Sequence, residues 1–114
     1  MSVDTVITTA GFDIPEKFAK YFQYFPQVLE DIAAQDDQSF DFIIFLETED
    51  QRAQVQGAVD NGSSAVQRMN KEGRCQIKLI PPRAEKIDNL YAGEVRTRDY
   101  IESGKYTYAL YVDF

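Results

Sequence analysis

The segment from Phe40 to Glu49 constrains the fold most, because it is the most apolar run in the sequence. In an extended chain, successive side chains point to opposite faces, so both faces of this segment are apolar as far as Leu46. A strand with two apolar faces is typical of the centre of a sheet that is covered on both sides. The sequence therefore predicts a central strand here, with the rest of the chain arranged around it.

An amphipathic helix is predicted on the N-terminal side of the central strand. Asp13 can act as its N-cap, and apolar residues then recur three or four positions apart as far as Ala33. Because proline inside a helix removes a backbone hydrogen bond, Pro26 predicts either a kink near Phe22 or two helices that meet at Pro26. The apolar stripe stays nearly in phase across the proline, which favours the kink.

A second helix is predicted after the central strand, from Thr48 as N-cap to about Lys71. Its apolar stripe continues through Gly62 and Ser63, which favours one helix. Glycine weakens a helix, however, and Ser63 could cap a separate second one. Gly73 is predicted to end the helical segment.

The remaining strands are predicted from short runs of β-branched and alternating residues. Residues 3–8 and 75–80 are each expected to be strands. The clearest local signal comes later, where residues 94–102 and 105–114 alternate around the turn residues Ser103 and Gly104, which predicts a β-hairpin.

The predicted order of elements is β-α-β-α-β-β-β. This order favours an α+β fold, in which a mixed sheet of about five strands packs with two helices and ends in the C-terminal hairpin. We expect one compact domain over residues 1–114, because a chain of this length can bury its own core.

The charge is unevenly distributed along the chain. The net charge is −7, and residues 1–60 carry twelve acidic and three basic side chains, whereas residues 61–114 carry seven acidic and nine basic ones. An acidic first half disfavours direct binding to nucleic acid or to anionic membranes, since both need clustered Lys and Arg. It permits a basic protein partner, or it serves only to keep the protein soluble.

The sequence lacks the residues on which most catalytic and metal sites depend. It has no histidine, no glycine-rich phosphate-binding motif and one cysteine, Cys75, which is expected to be a small buried hydrophobic residue. Glu47, Glu49 and Asp50 could hold Mg²⁺, but they also suit a helix start, where acidic groups complement the dipole. The sequence predicts a protein that is not an enzyme and that has no cofactor or metal.

Two candidate surfaces follow from side chains that lack a local structural role. Acidic residues near the central strand form a candidate surface for a protein partner: Glu30, Asp31, Asp36, Asp37, Asp41, Glu47, Glu49 and Asp50. Arginines and tyrosines on one face of the predicted hairpin form a candidate oligomer surface, because exposed tyrosines favour protein interfaces: Arg96, Arg98, Tyr100 and Tyr111.

Three functions remain open at this stage. The leading hypothesis is a non-enzymatic assembly subunit that forms a homo-oligomer or joins a larger complex; small phage adaptor and ring-forming proteins share this size and mix of elements, which is an analogy at the level of fold only. The second is an acidic inhibitor that mimics nucleic acid charge and occupies a basic groove. The third is a small-ligand binder or an enzyme that uses carboxylates.

The sequence also carries no signal for a membrane. No stretch approaches the roughly 20 apolar residues that span a bilayer, and the first residues lack the basic-then-apolar pattern of a signal peptide. With a single cysteine, this predicts a cytoplasmic protein, or one within a virion if it is encoded by a phage.

Overall fold

Strands and helices alternate along the chain, and the strands form one parallel sheet. The computed structural model describes residues 4–35, 40–80, 98 and 100–113. Over these residues the sheet has the spatial order β3-β2-β1-β4, and each of its three pairings is parallel. The strands are β1 (Thr5–Ala10), β2 (Phe40–Leu46), β3 (Cys75–Leu79) and β4 (Tyr108–Asp113). The α+β content is confirmed, but the described sheet has four parallel strands where a mixed sheet of about five was predicted.

Residues 98 and 100–102 are helical, and four further helices lie wholly within the described ranges, where two helices were predicted. These four helices are α1 (Pro15–Tyr21), α2 (Phe25–Ala33), α3 (Glu49–Asp60) and α4 (Ser64–Lys71). A 3₁₀ turn at Phe22–Tyr24 separates α1 from α2. Pro26 lies in the first turn of α2, where a proline has no intrahelical hydrogen bond to lose. The interruption was therefore predicted correctly, but it divides two helices where a kink was favoured.

Local capping explains where several of these helices begin and end. Asp13 is not the N-cap of α1; Ile14 takes that position, and Asp13 is buried instead. Thr48 caps α3 as predicted, since its hydroxyl accepts a hydrogen bond from the Gln51 amide. The Ser63 hydroxyl accepts a hydrogen bond from Val66, which starts a separate helix. The prediction of one continuous helix was thus wrong, because the serine cap and the glycine before it act together.

The end of α4 follows the glycine signal in the sequence. Gly73 adopts a positive φ of 74°, which glycine reaches without the steric cost of a Cβ. The Arg74 amide donates to the Met69 carbonyl and the Gly73 amide donates to the Asn70 carbonyl. These two bonds are the Schellman arrangement, which satisfies carbonyls that the helix end would leave without partners.

The central position of β2 is confirmed, and every residue of the strand is buried. Phe40, Phe42, Ile44 and Leu46 pack with the helices on one face of the sheet. Ile43 and Phe45 belong to a smaller cluster on the other face, together with Val6 and Tyr106. The sheet therefore separates a large helical core from a second, smaller core.

The predicted C-terminal hairpin is not confirmed. Residues 98 and 100–102 are helical, and residues 94–97 and 99 of the predicted first hairpin strand lie outside the described residues. Ser103 and Gly104 do form a turn, with Gly104 at a φ of 77°, but the Gly104 amide donates back to the Ile101 carbonyl. The turn residues thus follow a helical segment, and β4 pairs with β1, with Thr5 opposite Tyr108.

Candidate functional site

The outer strand β4 exposes large apolar side chains. Tyr108 is 61% exposed, Leu110 is 59% exposed and Tyr111 is 36% exposed. We refer to these three residues as the β4 surface. They are three of the five large hydrophobic side chains that are exposed in the described part of the chain.

Among the described residues, the connections of the sheet leave β4 outside the helical layer. The helices that join β1 to β2 and β2 to β3 lie over those strands, because a crossover packs on the strands that it connects. β4 lies on the opposite side of β1, beyond this helical layer. Its register with β1 places Tyr108 beside Thr5 and Leu110 beside Ile7, so both side chains lie on the helical face, whereas Tyr111, beside Thr8, lies on the opposite face. Residues 108–112 also carry no charged side chain.

A cleft of about 540 Å³ lies on the other face of the sheet. We call it the lysine–tyrosine cleft and define it by six lining residues: Ile43, Phe45, Lys78, Tyr100, Lys105 and Tyr106. The strands β2 and β3 form one side, and residues between 100 and 106 form the other.

A buried polar pair lies beside this cleft. The Tyr106 hydroxyl donates a hydrogen bond to Oδ2 of Asp41, and Lys105 Nζ lies 3.8 Å from the same oxygen. Burial raises the pKa of Tyr106 above its ordinary value, and the hydrogen bond to Asp41 adds to the effect. The tyrosine therefore stays protonated and remains a hydrogen-bond donor to the carboxylate.

The predicted acidic surface does not form one patch among the described residues. Asp41 is buried at the amino end of β2, so it does not belong to the exposed acidic surface on which it was predicted. Glu47, Glu49 and Asp50 follow the other end of that strand, roughly 20 Å away at the rise of an extended chain. Asp36 and Asp37 lie outside the described residues.

Several of these acidic groups have structural partners. Glu30 accepts a hydrogen bond of 2.9 Å from the Ser63 amide, which joins α2 to the start of α4. Asp31 accepts from Gln27, and Asp50 accepts from Gln54. Glu49 lies 3.7 Å from Arg52. Glu47 contributes its backbone amide, which donates to Gln51.

The residues of the predicted oligomer surface are also divided. Tyr111 is exposed on β4, as predicted, and Arg98 is exposed. Tyr100 is half-buried in the lysine–tyrosine cleft, where its ring centroid lies 6.1 Å from that of Phe45. Arg96 lies outside the described residues. The exposed Tyr108 and Leu110 were missed because the predicted hairpin placed them on its buried face.

The two cleft lysines could not have been found from the sequence. Lys78 and Lys105 are 27 positions apart (105 − 78), and neither lies in a sequence motif that indicates a binding site. Cys75, in contrast, is buried as predicted, and its burial raises the pKa of the thiol to about 11. A thiol with a raised pKa is a poor nucleophile near neutral pH.

The described residues offer few other kinds of site. The described residues contain no group of three or more side chains suited to hold a metal ion. No helix in the described ranges is long and apolar enough to cross a membrane. Comparisons with protein-family models, curated proteins and solved structures found no match to this chain. The analogy with phage adaptor proteins therefore stays a prediction.

Proposed function

We propose that this chain is a non-enzymatic assembly subunit and that a second copy of the same chain pairs with it along β4. The observation that supports this most is the β4 surface, where apolar side chains are concentrated on an outer strand. Exposed strand edges are templates for pairing, and proteins commonly protect them with charge or proline. Residues 108–112 have neither.

A second copy suits this edge because the pairing can be symmetric. In an antiparallel arrangement about a twofold axis, each copy presents the same row of backbone donors and acceptors to the other. Two four-stranded sheets would then join into one sheet of about eight strands. Tyr108 and Leu110 of one copy would pack beside the same residues of the other.

The absence of charged side chains on residues 108–112 also favours a second copy of this chain over a charged partner at this edge. Two copies that each carry −7 repel one another over most of their surface. The uncharged residues 108–112 offer a place where two acidic chains can approach with the least repulsion. Raising the salt concentration screens the remaining repulsion, so association should strengthen with salt.

The area of the β4 surface determines how strongly two copies are expected to associate. With side-chain areas of about 200 Å² each, the exposed fractions of the three residues amount to roughly 300 Å² per copy. Twice that area is well below the roughly 1,200–2,000 Å² of a stable interface. We therefore expect a reversible dimer whose population depends on protein concentration.

Sedimentation velocity over a hundredfold range of protein concentration, at low and high salt, tests this proposal. The unmodified chain should shift from monomer to dimer as concentration rises, and more readily at high salt. Leu110→Lys should remain monomeric because it places a charge in the interface. Tyr24→Lys is the matched control, since Tyr24 is 57% exposed but belongs to the turn between α1 and α2 and not to β4.

Two outcomes would contradict the proposal. One is an unmodified chain that remains monomeric at every concentration and salt. The other is a Leu110→Lys variant that associates as well as the Tyr24→Lys control. The alternative of an acidic inhibitor predicts the opposite salt dependence, because binding to a basic partner weakens as salt screens the attraction.

A further inference from the structure

The lysine–tyrosine cleft has the size and lining of a site for a small molecule. Its volume of about 540 Å³ lies within the range of roughly 300–1,000 Å³ that ligand pockets occupy. Ile43 and Phe45 form the base of the cleft from β2, where both side chains are almost fully buried in the smaller core. The cleft lies over β2 and β3, on the side of β1 away from β4.

Aromatic rings form the side of the cleft opposite β3. The ring of Tyr100 lies 6.1 Å from that of Phe45 and 6.0 Å from that of Tyr106, measured between centroids. The hydrogen bond between Tyr106 and Asp41 fixes the orientation of the second ring. A set of rings held in this way offers apolar faces against which a flat ligand can pack.

The charged groups of the cleft are predominantly positive. Lys78 Nζ lies 5.1 Å from the ring centroid of Tyr100, and Lys105 Nζ lies 5.2 Å from that of Tyr106. Asp41 balances Lys105 at 3.8 Å. Among the described residues, no carboxylate lies within ion-pair distance of Lys78, so the described groups of the cleft carry two positive charges and one negative charge.

We propose that the lysine–tyrosine cleft binds a small organic anion with a flat apolar body and one carboxylate, sulfonate or phosphate group. The body packs against Tyr100 and Ile80, which line the cleft and are only partly buried. The anionic group lies beside the ammonium of Lys78, and Gln76 and Ser103, which also line the cleft, supply further polar groups. This inference goes beyond self-assembly and uses a different part of the molecule.

A pair of fluorescent probes separates the contribution of the charge from that of the apolar body. Anilinonaphthalene sulfonate carries the anion, and N-phenylnaphthylamine has the same aromatic body without it. Because only the sulfonate is attracted by the Lys78 ammonium, it should bind the unmodified protein about tenfold more tightly than the neutral probe. Fluorescence titration measures both affinities.

Substitutions locate the binding. Lys78→Gln should weaken binding of the sulfonate about tenfold and leave the neutral probe unchanged. Lys20→Gln is the matched control, because Lys20 also lies over a tyrosine, with its Nζ 5.2 Å from the Tyr21 ring, but belongs to the helical side of the sheet. Lys78 is exposed, and circular dichroism verifies that both variants keep the fold.

Three results would overturn this proposal. Equal affinity of the unmodified protein for the two probes would show that the anionic group is not recognised. Equal losses in Lys78→Gln and Lys20→Gln would indicate a general effect of charge. Loss of binding in Leu110→Lys would place the probe on the β4 surface, and that variant also keeps this test independent of the assembly proposal.

An NMR titration gives a second measurement that does not depend on a substitution. The sulfonate should shift the amide signals of Gln76 and Ser103, while signals of residues 108–112 should stay in place. The opposite pattern would contradict the proposal.

Discussion

The buried side-chain amide of Gln51 forms hydrogen bonds with three backbone groups in two segments of the chain. Its Oε1 accepts hydrogen bonds from the amides of Glu47 at 2.8 Å and Thr48 at 3.2 Å. Its Nε2 donates to the carbonyl of Asp13 at 3.0 Å. The side chain thereby ties the end of β2 to the loop between β1 and α1. The capping signal at Thr48 was visible in the sequence, but the bond across to Asp13 was not, because it joins positions 38 residues apart.

Gln51→Ala should lower the free energy of unfolding by about 2–3 kcal/mol, because it leaves buried backbone groups without hydrogen bonds. Urea unfolding measures the change. Gln54→Ala is the control, since Gln54 is exposed and its Nε2 bonds only to Asp50 among the contacts described here, so its effect should stay within about 0.5 kcal/mol. Equal losses in the two variants would contradict the structural role of Gln51.

Glu30 makes the stability of the fold depend on pH. Hydrogen bonds from the hydroxyl and amide of Ser63 hold the pKa of its carboxyl below the ordinary value of 4.5. A carboxyl with a lowered folded-state pKa stabilises the fold above the unfolded-state pKa, and that contribution is lost as the pH falls through the folded-state value. Glu30→Gln keeps an acceptor oxygen for Ser63 but removes the charge.

The unmodified chain should therefore be more stable than Glu30→Gln near neutral pH, and the difference should shrink as the pH falls below 4.5. Urea unfolding at several pH values measures the difference. Asp31→Asn provides the control, since Asp31 is exposed and, among the described contacts, its carboxylate accepts a hydrogen bond only from Gln27. A difference between Glu30→Gln and the unmodified chain that does not change with pH would contradict this assignment.

At the scale of elements, the junction between α3 and α4 depends on the absence of a side chain at Gly62. A Cβ at this position would lie 2.5 Å from Cγ1 of Val66 and 2.7 Å from its Cβ. Val66 is fully buried, so it has little room to move. Gly57, inside α3, has open space where a Cβ would lie. Gly62 is therefore needed for packing at the junction between the two helices, whereas Gly57 is not needed for packing.

Gly62→Ala should destabilise the protein by about 1–3 kcal/mol through overpacking against Val66. Gly57→Ala should stabilise it by up to about 1 kcal/mol, since alanine has the higher helix propensity. Thermal unfolding of the two variants, compared with the unmodified chain, checks both signs. A stabilising Gly62→Ala would mean that the junction can relax, and the glycine would then have no packing role.

Elements were predictable where the signal lies within a few residues. The burial of β2, the cap at Thr48 and the helix end at Gly73 each follow from local sequence. The break at Ser63 was harder to predict, because two local signals conflict there. The apolar stripe continues in phase and favours one helix, whereas the serine cap favours two. Which strands pair with one another could not be predicted from such local signals.

At the scale of the whole molecule, the error in the C-terminal region has one cause. Alternating residues in 105–113 fit any half-buried strand, and the adjacent turn residues favoured a local partner for it. The actual partner is β1, with Thr5 opposite Tyr108, and nothing in either segment specifies a match so far away. The candidate sites depend on this topology. The exposure of Tyr111 was predicted, whereas the exposure of Leu110 and the cleft between Lys78 and Lys105 were not.

The pairing of β4 with β1 has a consequence for how the chain reaches its fold. Thr5 and Tyr108 are 103 positions apart (108 − 5), so this contact closes a very long loop. Contacts with large separation in sequence slow folding, because the entropy of closing the loop is lost before the contact forms. During synthesis, β1, β2, β3 and the four helices would emerge well before β4, leaving one edge of β1 open. A growing chain would therefore carry an unpaired edge on β1 until β4 is synthesised, and during that interval the chain is most exposed to mispairing with its neighbours.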